Sequence, residues 1–478
     1  MAEFGVKLGL LSTLFIVSSV RAAEDSPGRP NVVLIIADDL SYRDFGFMGN
    51  RQMRTPNLDE LARVSACYVN GYVPTSVCRP SLATLLTGLY PHQHGIYFNH
   101  PPPGFGRMTQ MSVAEWRAAR APAERIVGEL PTLPRILAKH GYACLQTGKH
   151  WEGDYPNAGF THGMTLNLPS PEPTYGNRTL NDGVVAHGNG DAGLAIGRDT
   201  MQPLFDFIDQ HRSQPFFIWY APLLPHVPFD AAERFRSPYE HRDDIPAHMV
   251  GYYAQITQFD ETVGELIKYV EDQGLADRTM FVFVVDNGFR PTSKPSSDGT
   301  YDRPDDRSKL SPFENGVRTP ILIRWNAQTQ PATHLQLVQS VDIMPTILAA
   351  ARLETLIGDL PGIDLMPAAT GAKPLPNRPA FGEIYPNDAT ELGHPEDEVS
   401  YLWVRDGDLK LIERVRHEDG TSGGPESDID LYDLATDPDE RQNLATSSDH
   451  AVDVTRLKSL LDRWWQPDAR RTGTKSHP

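Results

Sequence analysis

Two pairs of oxygen-bearing side chains each directly follow an apolar, β-branched run of sequence. Asp38 and Asp39 follow one run, and Asp286 and Asn287 follow another far along the chain. Each pair alone could cap a helix or turn the chain. If the two runs are neighbouring parallel strands, all four side chains meet at the carboxyl ends of the strands, where open α/β sheets bind ligands. Hard oxygen ligands without a His cluster then favour Ca²⁺ or Mg²⁺ over Zn²⁺.

Cys78 is the second chemical candidate, and it lies at the predicted start of a short helix. Pro80 suits a first helical turn, leucines follow at helical spacing, and Gly88 is a natural stop. The positive end of a helix favours anions and lowers the pKa of a thiol. The alternative is an ordinary buried cysteine beside a core helix.

The wider stretch around Cys78 resembles the signature of the type I sulfatases, in the alkaline phosphatase-like superfamily. Residues 78–81 read Cys-Arg-Pro-Ser, and residues 85–91 read Leu-Leu-Thr-Gly-Leu-Tyr-Pro. The resemblance implies that a maturation enzyme oxidises Cys78 to formylglycine, an aldehyde that works as its hydrate. One hydroxyl attacks sulfur and the alcohol leaves; the second is then deprotonated and expels sulfate. A plain serine would stop at a stable sulfate ester.

Leu82 departs from the family pattern C-x-P-S-R, because it stands where the arginine should be. Arg79 cannot simply replace that arginine, since one residue along a helix turns a side chain by about 100°. A basic group would therefore have to come from elsewhere. The candidates lie in the loop after Asn287: Arg290, Arg303 and Arg307.

The resemblance covers five motifs in family order, from residue 31 to about residue 444. It implies one divalent cation, Ca²⁺, with Mg²⁺ as the alternative. The implied ligands are Asp38, Asp39, Asp286, Asn287 and the modified Cys78.

Three further residues are implied to act on the substrate. Lys149 matches the family motif G-K-W-H, although His150 directly follows it and would point the other way on an extended segment. His226 lies in a P-H-x-P motif, whose histidine contacts the substrate oxygen and helps to protonate the leaving group. Lys309 falls on the sulfate-binding lysine of K-x-x-x-x-E-G-G-x-R-x-P. By contrast, the pair His92 and His94 has no carboxylate or Cys nearby in sequence and is predicted to form a surface turn.

The elements that must position these residues predict an α/β fold. Residues 31–37 and 280–285 have the continuous apolar pattern of strands buried on both faces of a parallel sheet. We therefore expect a large mixed, mostly parallel central sheet flanked by helices. Residues 401–405 and 409–412 flank an Asp-Gly-Asp turn and, with a later amphipathic helix, predict a smaller C-terminal α+β subdomain.

The predicted organisation has three parts. Residues 1–22 read as a secretory signal, with Lys7, an apolar stretch and a small-residue cleavage site. Residues 23–375 would form the catalytic domain and residues 376–478 the C-terminal subdomain, joined by a Pro- and Ala-rich linker. No other stretch approaches a membrane span, so we expect an exported, periplasmic or secreted protein. Whether Cys67 and Cys144 pair is left open by the sequence.

The charge balance limits the partners. The chain has 478 residues, 40% of them hydrophobic, and a formal net charge of −18 at pH 7. Such an acidic protein is a poor candidate for binding nucleic acid or an anionic membrane. A polyanionic substrate must therefore meet a local basic pocket rather than a basic face.

These observations predict an exported sulfatase that hydrolyses an aryl or carbohydrate sulfate, either a sulfated small molecule or a sulfated polysaccharide. One alternative is a phosphodiesterase or phosphonate hydrolase on the same scaffold. Another is a catalytically silent binder of sulfated glycans. The loops at residues 97–125, 152–200 and 289–307 are expected to line the cleft, and no motif in them identifies the substrate.

Overall fold

A computed structural model describes Met1 and residues 28–169, 175–290, 307–326, 328–356, 358–416, 424–425 and 427–467. The predicted signal segment at residues 1–22, apart from Met1, and the candidate Arg303 lie outside the described residues.

Fifteen strands and fourteen α-helices lie in the described residues. The strands are β1 Asn31–Ala37, β2 Ala66–Tyr72, β3 Ala143–Gly148, β4 His162–Gly163, β5 Arg178–Thr179, β6 Val185–Ala186, β7 Phe216–Ala221, β8 Thr279–Val285, β9 Arg318–Arg324, β10 Ala332–His334, β11 Val338–Gln339, β12 Ala380–Ile384, β13 Tyr401–Asp406, β14 Leu409–Arg414 and β15 Ile429–Asp433. The helices are α1 Pro56–Arg63, α2 Cys78–Thr87, α3 Pro91–His94, α4 Phe105–Met108, α5 Val113–Gly128, α6 Leu133–Lys139, α7 Gln202–His211, α8 Glu233–Arg236, α9 Val250–Asp272, α10 Glu314–Val317, α11 Ile343–Ala350, α12 Met366–Ala369, α13 Pro395–Glu398 and α14 Ala451–Trp464.

The central sheet has nine strands in the order β10-β2-β9-β8-β1-β7-β3-β4, with β11 also pairing with β2. Strand β1 lies between β7 and β8 and is parallel to both. Strand β3 is parallel to β7, whereas β9 runs antiparallel to β8 and β2. The predicted mixed, mostly parallel sheet is therefore confirmed.

Helices cover both faces of this sheet because its central strands are apolar on both sides. Strand β1 is buried along its whole length. Val33 and Ile35 share a core with α1, α7 and α9, whereas Val32 and Leu34 share a second core with α2, α6 and α11. Alternate residues of a strand point to opposite faces, so a continuous apolar run fills both cores.

The C-terminal part forms a separate four-stranded antiparallel sheet in the order β12-β13-β14-β15. The predicted hairpin is β13 and β14, joined by Gly407 and Asp408, and the left-handed backbone of Gly407 (φ 63°) makes this tight turn possible. Helix α14 packs on β13 and β14, with Leu457 and Leu461 fully buried. The predicted smaller α+β unit is confirmed.

A buried charge network connects the two sheets around Glu314. Its carboxylate accepts a 2.7 Å hydrogen bond from the hydroxyl of Tyr72 on β2 and lies 3.1 Å from Nζ of Lys410 on β14. Arg405 on β13 lies 3.5 Å from the same carboxylate. Burial alone would raise the pKa of Glu314, but Lys410 and Arg405 lower it. The glutamate in the predicted lysine-containing motif is therefore an ion-pair partner between the sheets.

The prediction of a surface turn for His92 and His94 is wrong. Both belong to α3 and are buried, with 7% and 2% of their surface exposed. His92 pairs with Glu383 on β12 at 3.0 Å, so the missing carboxylate comes from a distant part of the chain. Cys67 and Cys144 are free buried thiols. In the part of the chain that the structure describes, none of the helices is both long and apolar enough to cross a bilayer.

Replacing Glu314 with alanine is expected to lower the free energy of unfolding by about 3–5 kcal/mol, because it removes the partner of a buried cation. The side chain of Lys410 is fully buried and would retain only Glu440, at 2.9 Å. Guanidinium denaturation measures the change. Glu413→Ala is the control, because its pair with Lys458 is partly exposed and should contribute about 1 kcal/mol or less. Equal losses in both variants would contradict a special role for the buried network.

Candidate active site

Four adjacent strands end at the same edge of the central sheet, and polar side chains follow each of them. In sheet order these strands are β8, β1, β7 and β3. The residues that follow them are Asp286 and Asn287 after β8, Asp38 and Asp39 after β1, His226 in the loop after β7, and Lys149 after β3. Because the four strands are parallel, their carboxyl ends meet, as expected for a ligand site in an α/β sheet.

Cys78 reaches this edge from the first position of α2, and 2% of its surface is exposed. Its Sγ lies 3.6 Å from Asp39 Oδ1 and 3.9 Å from Asp38 Oδ1. The prediction of a lowered thiol pKa is wrong. Burial raises the pKa of Cys78 above its usual range and outweighs the nearby positive charges of Lys149 and Lys309.

Two lysines balance the negative charge of the site. Lys149 Nζ lies 2.7 Å from Asp38 Oδ1 and 3.8 Å from Asp286 Oδ2. Lys309 Nζ lies 2.6 Å from Asp39 Oδ1 and 2.9 Å from Cys78 Sγ. Burial alone would lower the pKa of each lysine, but the carboxylates raise it, so both ammonium groups stay charged.

The oxygen ligands predicted for a cation lie together and are incompletely bonded. One ligand atom from each of Asp38, Asp39, Cys78 and Asp286 falls within a 4.8 Å group. Buried oxygens of Asp38, Asp286 and Asn287 have no hydrogen-bond partner in the described residues. Burial and the charge of Asp38 raise the pKa of Asp286 well above its usual range. A hard divalent cation fits this donor set, because it would occupy the unbonded oxygens and offset the crowded negative charge.

His226 lies between this cluster and the open cleft. Its Nε2 is 3.5 Å from Asp39 Oδ2, and its Nδ1 donates to the carbonyl of Val227 at 2.8 Å. About a fifth of the side chain is exposed, 21%. Burial is the main cause that lowers the pKa of His226, although Asp38 and Asp39 act against it. The hydrogen bond through Nδ1 leaves Nε2 facing the reactive cluster.

A family model described as sulfatase matches residues 30–353. The chain belongs to the sulfatase family. A second model, the C-terminal part of N-sulphoglucosamine sulphohydrolase, matches residues 306–466. The predicted sulfatase family is confirmed, and the chain is a sulfuric ester hydrolase. Members of this family generally use a metal ion and formylglycine.

The chain is similar to known sulfatases over most of its length. Arylsulfatase A of Bos taurus is 30% identical over 492 residues, covering 92% of this chain and 88% of the bovine protein. A structure solved with its substrate, D-glucosamine-2-N,6-O-disulfate, has a TM-score of 0.67 at 19% identity and covers 94% of this chain and 100% of that chain. The phosphonate monoester hydrolase of Silicibacter pomeroyi has a TM-score of 0.64 at 19% identity, covering 91% and 95%. The two structures show a shared fold.

The departures of this sulfatase from the family motifs have structural explanations. Leu82 packs in the apolar core with 4% of its surface exposed. Arg79 is also buried and forms a bidentate pair with Glu152, with two 2.7 Å hydrogen bonds. His150 is buried away from the cluster, where it donates through Nε2 to the carbonyl of Asp154 at 3.2 Å, and burial lowers the pKa of His150 to about 4.

The cleft above Cys78 has a volume of about 680 Å³ and is lined by all three predicted loop regions. Arg290 lines it, whereas Arg307 donates instead to the carbonyl of Glu440 and stacks on Phe313. Asn387, which follows β12, also lines the cleft and was not expected from sequence. Its only sequence signal is a polar residue in the loop, three positions after the strand ends at Ile384.

Proposed function

We propose that this sulfatase hydrolyses an aryl or carbohydrate sulfate ester with formylglycine at position 78 and one divalent cation. The observation that carries this proposal is the group formed by Cys78, two charged lysines and the carboxylates that end β1 and β8. The thiol of Cys78 stands for the two hydroxyls that a formylglycine hydrate would carry.

The cation would be Ca²⁺ or Mg²⁺, held by Asp38, Asp39, Asp286, Asn287 and residue 78. When bound, it would polarise the sulfuryl oxygens and lower the pKa of the nucleophile. Lys149 and Lys309 would remain charged beside it through their pairs with Asp38 and Asp39.

The nucleophile and the residues around it have separate roles in the proposed reaction. As formylglycine hydrate, residue 78 supplies one hydroxyl that displaces the alcohol from sulfur and a second that, once deprotonated, releases sulfate, after which water restores the hydrate. Lys149 and Lys309 bind the sulfuryl oxygens and stabilise the charge of the transition state. His226 Nε2 faces the reactive cluster, and because Nδ1 donates to the Val227 carbonyl, only the imidazolium form of His226 carries a proton on Nε2. That form would deliver the proton that the leaving oxygen requires.

The proposal includes the organisation of the whole chain. Residues 1–22 would direct export to the periplasm or outside the cell, residues 23–375 would form the catalytic domain, and residues 376–478 the C-terminal subdomain. A maturation enzyme would oxidise Cys78, and the substrate would be a sulfated small molecule or polysaccharide. The relatives named above, an arylsulfatase and a protein solved with a glucosamine disulfate, support both substrate classes. Parallel assays on matched aryl sulfates and aryl phosphonates would separate sulfatase from phosphonate hydrolase activity.

Protein made in a host with a maturation enzyme should contain formylglycine at position 78. Mass spectrometry of the peptide that spans Cys78 should show the aldehyde or its hydrate instead of the thiol. Cys78→Ser should lose turnover and retain one covalently bound sulfate, because serine has no second hydroxyl to expel it. Protein from a host without the maturation enzyme is the control and should be an inert thiol form. An intact thiol in protein that hydrolyses sulfate esters would refute the aldehyde mechanism.

Asp286→Ala should lower both the metal content and the rate, because it removes a fully buried ligand from the carboxyl end of β8. We expect less than one tenth of the bound metal of the wild type, a loss of roughly 1.4 kcal/mol or more in binding free energy. Elemental analysis after dialysis measures the metal, and an aryl sulfate assay measures the rate. Asp272→Ala, at the exposed end of α9, is the control. Full metal content and rate in Asp286→Ala would remove this residue from the site.

His226→Ala should slow esters with poor leaving groups by roughly 10²-fold or more, because proton donation is then essential. Aryl esters with good leaving groups should be affected less, since their leaving oxygen is already stable as an anion. The measurement is kcat/KM across a series of aryl and alkyl sulfates. A loss of the same size throughout the series would mean that His226 binds or packs instead.

A further inference from the structure

Two arginines line the cleft at a distance from the lysines. Arg178 and Arg290 both line the same cavity as Cys78, and both side chains are exposed to it. The guanidinium of Arg178 stacks over the ring of Phe105 at 4.9 Å. Neither arginine forms an ion pair with a carboxylate within the residues that the structure describes. Partial burial and the like charge of Arg290 lower the pKa of Arg178.

Among the described residues these two neighbouring cations have no carboxylate partner, although the chain is acidic, with a net charge of −18. Each repels the other, and an anion between them would relieve that repulsion. The exposed guanidinium groups could bind the two oxygens of a carboxylate or sulfate in a bidentate manner.

This arginine pair is separate from the group around the nucleophile. The charges that act most strongly on Cys78 are Lys149 and Lys309, together with Asp39 and Asp286. The two lysines are within 4 Å of the carboxylates that surround Cys78. The arginines instead lie on the wall formed by the loops. The cleft therefore offers positive charge at two places, one at its floor and one on its wall.

The same wall has unbonded polar atoms beside aromatic rings. Buried atoms of three lining residues have no hydrogen-bond partner in the described part of the chain: His100 Nδ1, Trp151 Nε1 and Asn189 Oδ1. These residues are 9%, 7% and 6% exposed. The rings of His100 and Trp151 are 5.5 Å apart. A few polar groups among aromatic side chains are typical of a small-molecule site, where they orient a polar ligand.

We propose that this sulfatase acts on sulfate esters whose alcohol part carries a second anionic group, and that Arg178 and Arg290 bind that group. The second group is an oxyanion, either a carboxylate or a further sulfate or sulfonate. The inference rests on the proposed function and narrows its substrate class. It also agrees with the expectation that an acidic protein binds a polyanion through a local basic pocket.

The test uses three phenyl sulfates that differ only at the end of a saturated arm in the para position. The arm ends in a neutral carboxamide, a carboxylate or a sulfonate, so the leaving group is nearly the same in all three. Arms of two and four carbons vary the distance between the scissile sulfate and the second anionic group. The wild type should prefer one or both anionic esters by roughly tenfold in kcat/KM over the amide. Comparing the carboxylate ester with the sulfonate ester shows which of these two anionic groups the arginines bind better.

Arg178→Gln and Arg290→Gln should each lower the ratio of kcat/KM for the anionic esters to kcat/KM for the amide toward one. The change should come chiefly from a higher KM for the anionic esters. Arg212→Gln is the matched control, because Arg212 is exposed and lies just before β7, at the opposite edge of the sheet from the cleft. It removes the same charge and should leave the preference unchanged.

Three results would overturn the inference. The wild type could show no preference with either arm, or the variants could keep the preference. Arg290→Gln could also slow all three esters equally, which would mean that it holds the scissile sulfate in place of the motif arginine. Absence of turnover with every ester would count against the proposed function instead. In that case, calorimetric binding of the three desulfated phenols still tests the subsite, and equal affinities for the neutral and anionic phenols would overturn it.

Discussion

The crowding of carboxylates between β1 and β8 is the constraint on which the rest of the site depends. Asp38, Asp39 and Asp286 end two adjacent parallel strands, and all three are buried. Isolated from water, they repel one another strongly, so the fold must supply positive charge at the same place. Lys149 and Lys309 supply part of it, and unbonded oxygens remain for a cation. The charges of these groups therefore offset one another, and none of them could be buried here alone at low cost.

The architecture explains how distant segments reach this point. A parallel sheet returns each strand to the same edge, so β8, β1, β7 and β3 need no special turn to bring their following residues together. Lys309 is different, because it comes from the segment before α10. That segment is held through Glu314, whose buried pairs with Lys410 and Arg405 link it to the C-terminal sheet. The C-terminal sheet thus helps to fix a lysine at the active site, although its own residues lie outside the charged cluster.

The sequence predicted the sheet and the cluster at its edge because both leave local patterns. A continuous apolar run followed by two polar residues is visible without any tertiary information, as at Asp38 and Asp286. The direction of the pKa of Cys78 was predicted wrongly, since burial depends on packing from distant segments and outweighs the helix end. Asn387 and the partner of His92, Glu383, were also missed, because their positions depend on packing between distant segments. Their neighbours are remote in the chain, and no periodicity connects them.

The position of Leu82 shows how positive charge is distributed in this sulfatase. An arginine there would need a partner in the apolar core, and both carboxylate oxygens of Glu152 already bind Arg79. Leu82 avoids that cost, and the lysines at the sheet edge form their ion pairs with Asp38 and Asp39 instead. Positive charge on the cleft wall then comes from loop residues such as Arg178 and Arg290. Because the whole chain is acidic, long-range attraction of an anion is weak and recognition must act at contact distance. Under the proposal that Arg178 and Arg290 bind the substrate, substrate choice depends on the loops and the reaction on the residues at the sheet edge.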